Sequence, residues 1–212
     1  MSEENPNPNQ QSVGAIVLAA GPSRRLGFPK QLLTFRGEPL VARAASAALN
    51  CGGAHPVIVV IGADADLTMP VLARIPQVST VINDNWATGL ASSLTIGIRA
   101  LEKIAPCDGA LLMLVDQPNV TSGALTRLLA AFDKNHRMVA AGYAGVIGVP
   151  AVFGREFFDD LLKLTGDAGA GQFLRSKPER VTVVPMPEAE MDVDTVADVA
   201  TMRAFDTSEW PQ

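Results

Sequence analysis

The chain has 212 residues, 48% hydrophobic and 18% charged, with two cysteines and a formal net charge of -5. That length suits one domain, or one with a small elaboration, and the apolar fraction excludes a chain too polar to bury a core. The net negative charge and a pI near 5.0 argue against nucleic acid or an anionic membrane as a general partner, because the mean field repels both.

Residues 1–12 begin MSEENPNPNQQ, polar and proline-spaced, without the basic-then-apolar order of a signal peptide. They read as a disordered tail ahead of a single domain over residues 13–206. No apolar run approaches the roughly 20 residues of a membrane span. Cys51 and Cys107 belong to no CxxC or Cys/His cluster, so two structural thiols in a cytoplasmic, reducing compartment are expected.

Four short apolar runs, 14–20, 56–61, 78–82 and 110–115, alternate with segments of helical periodicity. Runs apolar on both faces fit strands of a parallel sheet covered by helices on each side. Pro39 opens a helix that ends at Asn50 and Gly52. Leu90, Leu94, Ile98 and Leu101 make the apolar stripe of a second helix, and Thr121 or Ser122 can cap a third running through Phe132. Residues 138–143 and 146–153 then form a hairpin, which breaks the parallel pattern. A helical stretch over 155–164, a glycine-rich turn, a further helical piece through Leu174, a strand over 181–185 and a helix from about Thr195 complete the chain.

The first strand runs into LAAGPSRRLGFPK, residues 18–30. In open α/β sheets ligands lie beyond the carboxyl ends of the strands. The small residues Ala19, Ala20 and Gly21 let backbone amides approach a polyphosphate, and Arg25 and Lys30 can neutralise it. The spacing is neither Walker A nor G-x-G-x-x-G, and an ordinary loop remains an open reading. Arg24, Arg25, Lys30, Arg36 and Arg43 crowd this stretch, whereas Glu188, Glu190, Asp192, Asp194 and Asp198 crowd one near the C-terminus. The pair suits a polyanion and a cation, or two solvated faces. Asp116 closes the apolar strand 110–115 at the same sheet edge, as a magnesium ligand or as a turn residue with Pro118. Asp192 and Asp194 share one face of an extended stretch; Thr195 and Asp198 have capping-box spacing, leaving Asp194 as the better metal candidate. Gly89, Ser92 and Ser93 open a helix, where amides and hydroxyls can serve a ligand or cap the helix.

LAAGPSRRLGFPK resembles the signature of the nucleotidyltransferase superfamily with a GT-A-like fold. NDNWATGLASSL (83–94), LVDQP (114–118), LTGDAGAGQFL (164–174) and DVDT (192–195) resemble, in order, the further motifs of the molybdenum cofactor cytidylyltransferase branch, the MobA/MocA-like proteins. The likeness spans residues 13–203. It implies a Rossmann-like three-layer α/β/α fold with a mostly parallel sheet and an inserted hairpin. It also implies a Mg2+-dependent nucleotidyltransferase that moves CMP from CTP to a phosphorylated acceptor, molybdopterin, and releases pyrophosphate.

By the same resemblance, Leu18, Ala19, Ala20, Gly21, Arg25, Lys30, Asn83, Gly89, Ser92 and Ser93 bind the nucleotide. Arg25, Lys30 and Asp116 serve catalysis, Asp116 and Asp194 hold the metal, and Gly148, Pro150, Asp167 and Gly169 face the acceptor. A molybdoenzyme client is a further implied partner; nucleic acid and membrane are not. Two departures stand out: Val149 replaces the histidine of G-H-P, and Gly171 the arginine of G-D-x-G-A-R. They motivate an alternative, a non-catalytic nucleotide-binding accessory protein in molybdoenzyme maturation. The LAAG form favours the cytidylyl over the guanylyl branch by one residue, and a GTP-using or sugar-phosphate nucleotidyltransferase is the remaining reading.

Overall fold

A computed structural model describes residues 11–206. The first strand, β1 (Val13–Ala19), reads VGAIVLA and is buried along its whole length. A segment without a polar side chain gains most by lying between two layers. It is followed by two short strands, β2 (Thr34–Phe35) and β3 (Glu38–Pro39), then α1 (Leu40–Leu49), β4 (Ala54–Ile61), α2 (Ala65–Leu72) and β5 (Val78–Ile82). The chain continues through α3 (Leu90–Ile104), β6 (Gly109–Leu114), α4 (Ser122–Ala131), β7 (Met138–Tyr143) and β8 (Val146–Gly154). Two short helices, α5 (Phe158–Leu161) and α6 (Ala170–Arg175), precede β9 (Thr182–Pro185) and α7 (Val196–Asp206).

Seven strands form one sheet in the order β5-β4-β1-β6-β8-β7-β9, and β2 pairs with β3 apart from it. β5, β4, β1 and β6 are mutually parallel. β8 runs antiparallel to both β6 and β7, and β9 runs parallel to β7. The hairpin expected from residues 138–153 is therefore present, with its second strand inserted beside β6. This is the α/β fold with a mostly parallel central sheet.

Alternation along β1 divides the core. Ala15, Val17 and Ala19 pack with residues of α1, α2, α4 and α7 on one face, whereas Ile16 and Leu18 pack with α3, α5 and α6 on the other. From β1 the chain crosses to β4 on one side, while β6 lies on the other. The β1/β6 boundary is thus the switch point at which an open α/β sheet leaves a crevice.

Residues 1–10 of the expected tail lie outside the described residues. Its last two are held: the Ser12 amide donates to the Asp108 carboxylate at 2.9 Å, and Arg137 Nη1 donates to Gln11 Oε1 at 2.7 Å. Cys51 and Cys107 are both buried and free, and burial pushes both thiols up, away from reactivity. Among the described residues no helix is long and apolar enough to cross a membrane.

Candidate active site

The loop after β1 is shaped by two polar side chains. Ser23, at φ 46°, accepts through its carbonyl from the amides of Leu26 and Gly27 at 2.9 and 3.2 Å. Its hydroxyl accepts from the Lys30 amide at 3.0 Å. Gln31, only 1% exposed, donates Nε2 to the carbonyls of Ala19 and Gly21, both at 2.8 Å. The two carbonyls flank Ala20, so the loop's return leg is tied to its outgoing leg and Lys30 is delivered to the strand end. Gln31→Leu leaves both carbonyls without this donor, at about 1–3 kcal/mol for each that stays buried. The variant is expected to raise the KM for nucleoside triphosphate about tenfold, the equivalent of 1.4 kcal/mol, with a smaller change in kcat; steady-state kinetics checks this.

Lys30 lies between two carboxylates. Its Nζ is 2.6 Å from Asp116 Oδ2 and 2.6 Å from Asp194 Oδ1, while Arg25 Nη2 is 2.6 Å from Asp194 Oδ2. The Lys30 and Asp116 side chains are each 12% exposed, so this pair is buried and charge-assisted. Burial alone would lower the Lys30 ammonium, but Asp116 and Asp194 outweigh it and hold its pKa above the ordinary value. Burial would raise Asp194; hydrogen bonding and charge from Lys30, and then Arg25, turn it downward.

Backbone contacts bring the distant acid in. The Val193 amide donates to the Asp116 carbonyl at 3.0 Å, and Val193 is fully buried, which fixes Asp192 and Asp194 on either side of it. Asp198 Oδ2 accepts from the amides of Asp194 and Thr195 at 3.0 and 2.7 Å, and the Asp198 amide donates back to Thr195 Oγ1 at 3.3 Å. The capping arrangement that starts α7 therefore also orients Asp194. Asp192 is exposed as a residue. Partial burial of its carboxyl, with the Asp116 and Asp194 charges beside it, raises its pKa to about 7.

Arg25, Lys30, Asp116 and Asp194 line a cleft of about 450 Å3, together with Leu18, Ala19, Ala20, Gly21, Gly89, Ser93 and Asp167. Trp86, Leu90 and Gln31 also line it, although the sequence assigned none of them to a ligand. A larger hollow of about 740 Å3 opens at the opposite end of the sheet, near Val13, Cys51 and Phe132. None of its lining residues was given a nucleotide, metal or acceptor role by the sequence.

Asn83 and Ser92 fall outside the cleft lining. Asn83 is fully buried and donates to the hydroxyls of Ser92 and Ser93 at 2.8 and 2.9 Å. The Asn85 amide donates to Asn83 Oδ1 at 3.0 Å. Asn83 thus braces the start of α3, and Ser93 is the serine that reaches the cleft.

On the acceptor side, Asp167 reaches the cleft, whereas Gly148, Pro150 and Gly169 do not line it. Gly148 and Pro150 lie on β8, and Pro150 is buried. A Cβ at Gly148 would come 2.6 Å from the Tyr143 hydroxyl, and one at Gly169 would come 2.6 Å from Leu90 Cδ2. Each lies outside the cleft lining, packed against a neighbouring side chain. Gln117 Nε2 donates to the Val149 carbonyl at 3.1 Å, and the Tyr143 hydroxyl donates to the same oxygen at 3.3 Å. Burial raises the Tyr143 phenol, the Asp192 and Asp116 charges add to this, and Arg175 works against them. Gly171 has no side chain, but Arg175, one turn further along α6, places Nη1 3.2 Å from where a Cβ of residue 171 would stand. A guanidinium is therefore present near the position where the family pattern led one to expect it.

Among the described residues, no group of three or more His, Cys, Asp or Glu is arranged to hold a metal ion unaided. Two carboxylates do converge, and Asp116 Oδ1 is buried without a hydrogen-bond partner. That donor set suits a hard cation which draws its remaining oxygens from water and substrate phosphates.

A doubly wound sheet with a lysine, an arginine and two carboxylates at its switch point is the framework of a nucleotidyltransferase. A nucleotidyl transferase from Methanothermobacter thermautotroptrophicus aligns with the fold at a TM-score of 0.78 and 25% identity, covering 92% of this chain and 97% of that one. Rv0371c of Mycobacterium tuberculosis, in complex with manganese, aligns at a TM-score of 0.74 and 28% identity, covering 90% of this chain and 97% of that one. Nicotine blue oxidoreductase of Paenarthrobacter nicotinovorans is 35% identical over 87% of this chain and 93% of its own. Residues 15–181 match the MobA-like NTP transferase domain, and the chain belongs to that family.

Proposed function

We propose that the protein transfers CMP from CTP to a phosphorylated acceptor of the molybdopterin class in a Mg2+-dependent reaction, releasing pyrophosphate. The observation that carries this reading is the meeting of Lys30, Arg25, Asp116 and Asp194, drawn from three separated segments, in one cleft. Asp116 and Asp194 would hold the metal, whose chemistry is neutralisation of phosphate charge. The attacking acceptor phosphate is already ionised at neutral pH, so no strong base is required. The chain's own contribution is alignment and charge: loop amides at 19–21 and the Lys30 and Arg25 cations steady the triphosphate for in-line displacement at the α-phosphorus. Trp86 and Leu90 supply an apolar wall for the base, and the cytidine assignment rests on the LAAG form of the first motif.

Arg175 and Tyr143 are assigned to the acceptor, at the edge where His and Arg of the family pattern are replaced. Arg175→Ala is expected to raise the KM for molybdopterin about tenfold or more, the loss of one charge-assisted contact, with the KM for CTP unchanged. Equal effects on both constants would remove Arg175 from acceptor recognition.

The name of the Paenarthrobacter nicotinovorans relative favours a second reading, an oxidoreductase. This chain has no G-x-G-x-x-G dinucleotide loop, which weighs against it. Three readings separate in parallel assays, in which the protein is mixed with Mg2+, each of the four NTPs in turn and molybdopterin, or with a reduced nicotinamide dinucleotide and an electron-accepting dye. Pyrophosphate release with CTP above the other three supports transfer. Tight NTP binding without release supports the accessory reading, and consumption of a reduced nicotinamide dinucleotide without release supports the oxidoreductase.

A further inference from the structure

The seven-stranded sheet has two outer strands, β5 and β9, and their free edges differ. Successive residues of a strand turn their N–H and C=O groups to opposite sides. At β9 the Met186 amide donates inward to the Gly142 carbonyl at 2.9 Å, so Val183 and Pro185 face outward, and Pro185 has no N–H to offer. A proline at that place blunts the edge. At β5 the Asn83 amide donates inward to the Ile61 carbonyl at 2.8 Å, and the register with β4 is unbroken. Ser79 and Val81 therefore bond toward β4, whereas Thr80 and Ile82 turn both backbone groups outward. Val78 adds an outward carbonyl, its amide being taken by the Ile75 carbonyl at 3.1 Å. The strand reads VSTVI, with no proline, glycine or charge, and among the described residues no strand lies beyond it.

We propose that β5 is the interface with a second copy of this chain, paired antiparallel about a twofold axis at Thr80 so that two sheets become one. In that register Thr80 exchanges both bonds with its own counterpart, and each Ile82 amide meets the partner's Val78 carbonyl. Every outward donor of the strand is satisfied, and the patch is self-complementary, as a twofold interface requires. Side chains agree with the pairing. Val78, Thr80 and Ile82 share one face, the side on which Val78 packs with α2, and Ile82, 45% exposed, is covered by the partner's Val78. The charges agree too: exposed Arg74 precedes β5 and exposed Asp84 follows it. Antiparallel pairing brings the start of one strand to the end of the other, so opposite charges meet at both ends. An axis one residue further along also joins outward groups, but it sets Ile82 against Thr80 and carries Arg74 two residues further from Asp84. The inference is independent of the chemistry of the cleft.

The full-length protein is followed by sedimentation velocity over a concentration series, with amide hydrogen exchange read by NMR at the two ends of the series. Wild type is expected to rise to twice the 22.3 kDa of one chain. On association the Thr80 and Ile82 amides slow, while those of Ser79 and Val81, already bonded to β4, do not change. Thr80→Pro removes a donor that the fold itself does not use, and Ile82→Lys sets a charge on the edge; each is expected to raise the dimer dissociation constant about tenfold or more. Val183→Lys, on the other edge, leaves that constant unchanged. Arg74→Asp weakens association, and adding Asp84→Arg to the same chain restores it, because the two copies then meet with both charges reversed. On oxidation Thr80→Cys crosslinks two copies and Val81→Cys does not. A wild type that stays monomeric at every concentration overturns the proposal and leaves the edge to a strand of some other protein. A dimer in which the Thr80 and Ile82 amides exchange as fast as in the monomer also overturns it, as does one that Val183→Lys dissociates and Ile82→Lys does not. Crosslinking through Val81→Cys in place of Thr80→Cys overturns the register. If Thr80→Pro does not fold, Ile82→Lys and the exchange pattern of wild type decide.

Discussion

Lys30→Met is expected to lower nucleotidyl transfer about 100- to 1,000-fold, the usual loss when one preorganised charge-stabilising group is removed. The side chain is 12% exposed and contacts Asp116 and Asp194 at 2.6 Å each, so no water molecule takes its place without reorganisation. In the metal-free protein the variant leaves two carboxylates facing each other with Arg25 alone to offset them. Removing one partner of a buried pair costs about 3–5 kcal/mol, discounted here because Asp194 is 35% exposed. Thermal unfolding is therefore read alongside turnover, with and without divalent metal. A folded variant with near-wild-type kcat would remove Lys30 from the transfer step.

Gly89→Ala is expected to damage both stability and the site. Gly89 has φ 112° and ψ 174°, a region essentially restricted to glycine. A Cβ there would overlap the Gly166 carbonyl and lie 2.8 Å from the Asp167 amide. The obstacle is backbone, and the Ala91 amide binds the same Gly166 carbonyl at 3.0 Å, so the 166–167 turn cannot simply step aside. Strain and overpacking together cost about 2–5 kcal/mol. Moving the turn also withdraws Asp167 from the cleft. Denaturant unfolding and the KM for acceptor are the measurements, and wild-type values for both would contradict this account of Gly89.

Much of the fold was legible because the strands are continuous apolar runs. VGAIVLA and GALLML exclude an exposed face, and that sets a covered parallel sheet. The placement of β8 between β6 and β7 was not legible, because pairing partners depend on contacts between residues far apart in sequence. The small β2–β3 hairpin was missed; its local cue was the turn at Arg36 and Gly37, both with positive φ.

The charged residues that meet in the candidate cleft were legible as candidates by chemistry and position. Lys30 follows a strand-end loop, Asp116 ends a strand, and Asp194 stands apart from the capping pair Thr195 and Asp198. The supporting residues were not. Gln31 acts through two backbone carbonyls, and its sequence cue was a polar residue directly after the lysine. Asn83 belonged to a matched motif but turns inward to the serines of α3. Arg175 lies outside every motif, four residues beyond the position where the pattern called for a cation, a spacing that becomes meaningful only once α6 is known to be helical.

The most direct measurement is anomalous diffraction from crystals grown with Mn2+ and a non-hydrolysable α,β-methylene CTP analogue. A manganese peak is expected within about 2.2 Å of oxygens from Asp116 and Asp194, with phosphate oxygens completing its shell and Lys30 Nζ on the triphosphate. A nucleotide bound elsewhere, or a manganese peak away from both carboxylates with Lys30 still between them, would contradict the proposed transfer site.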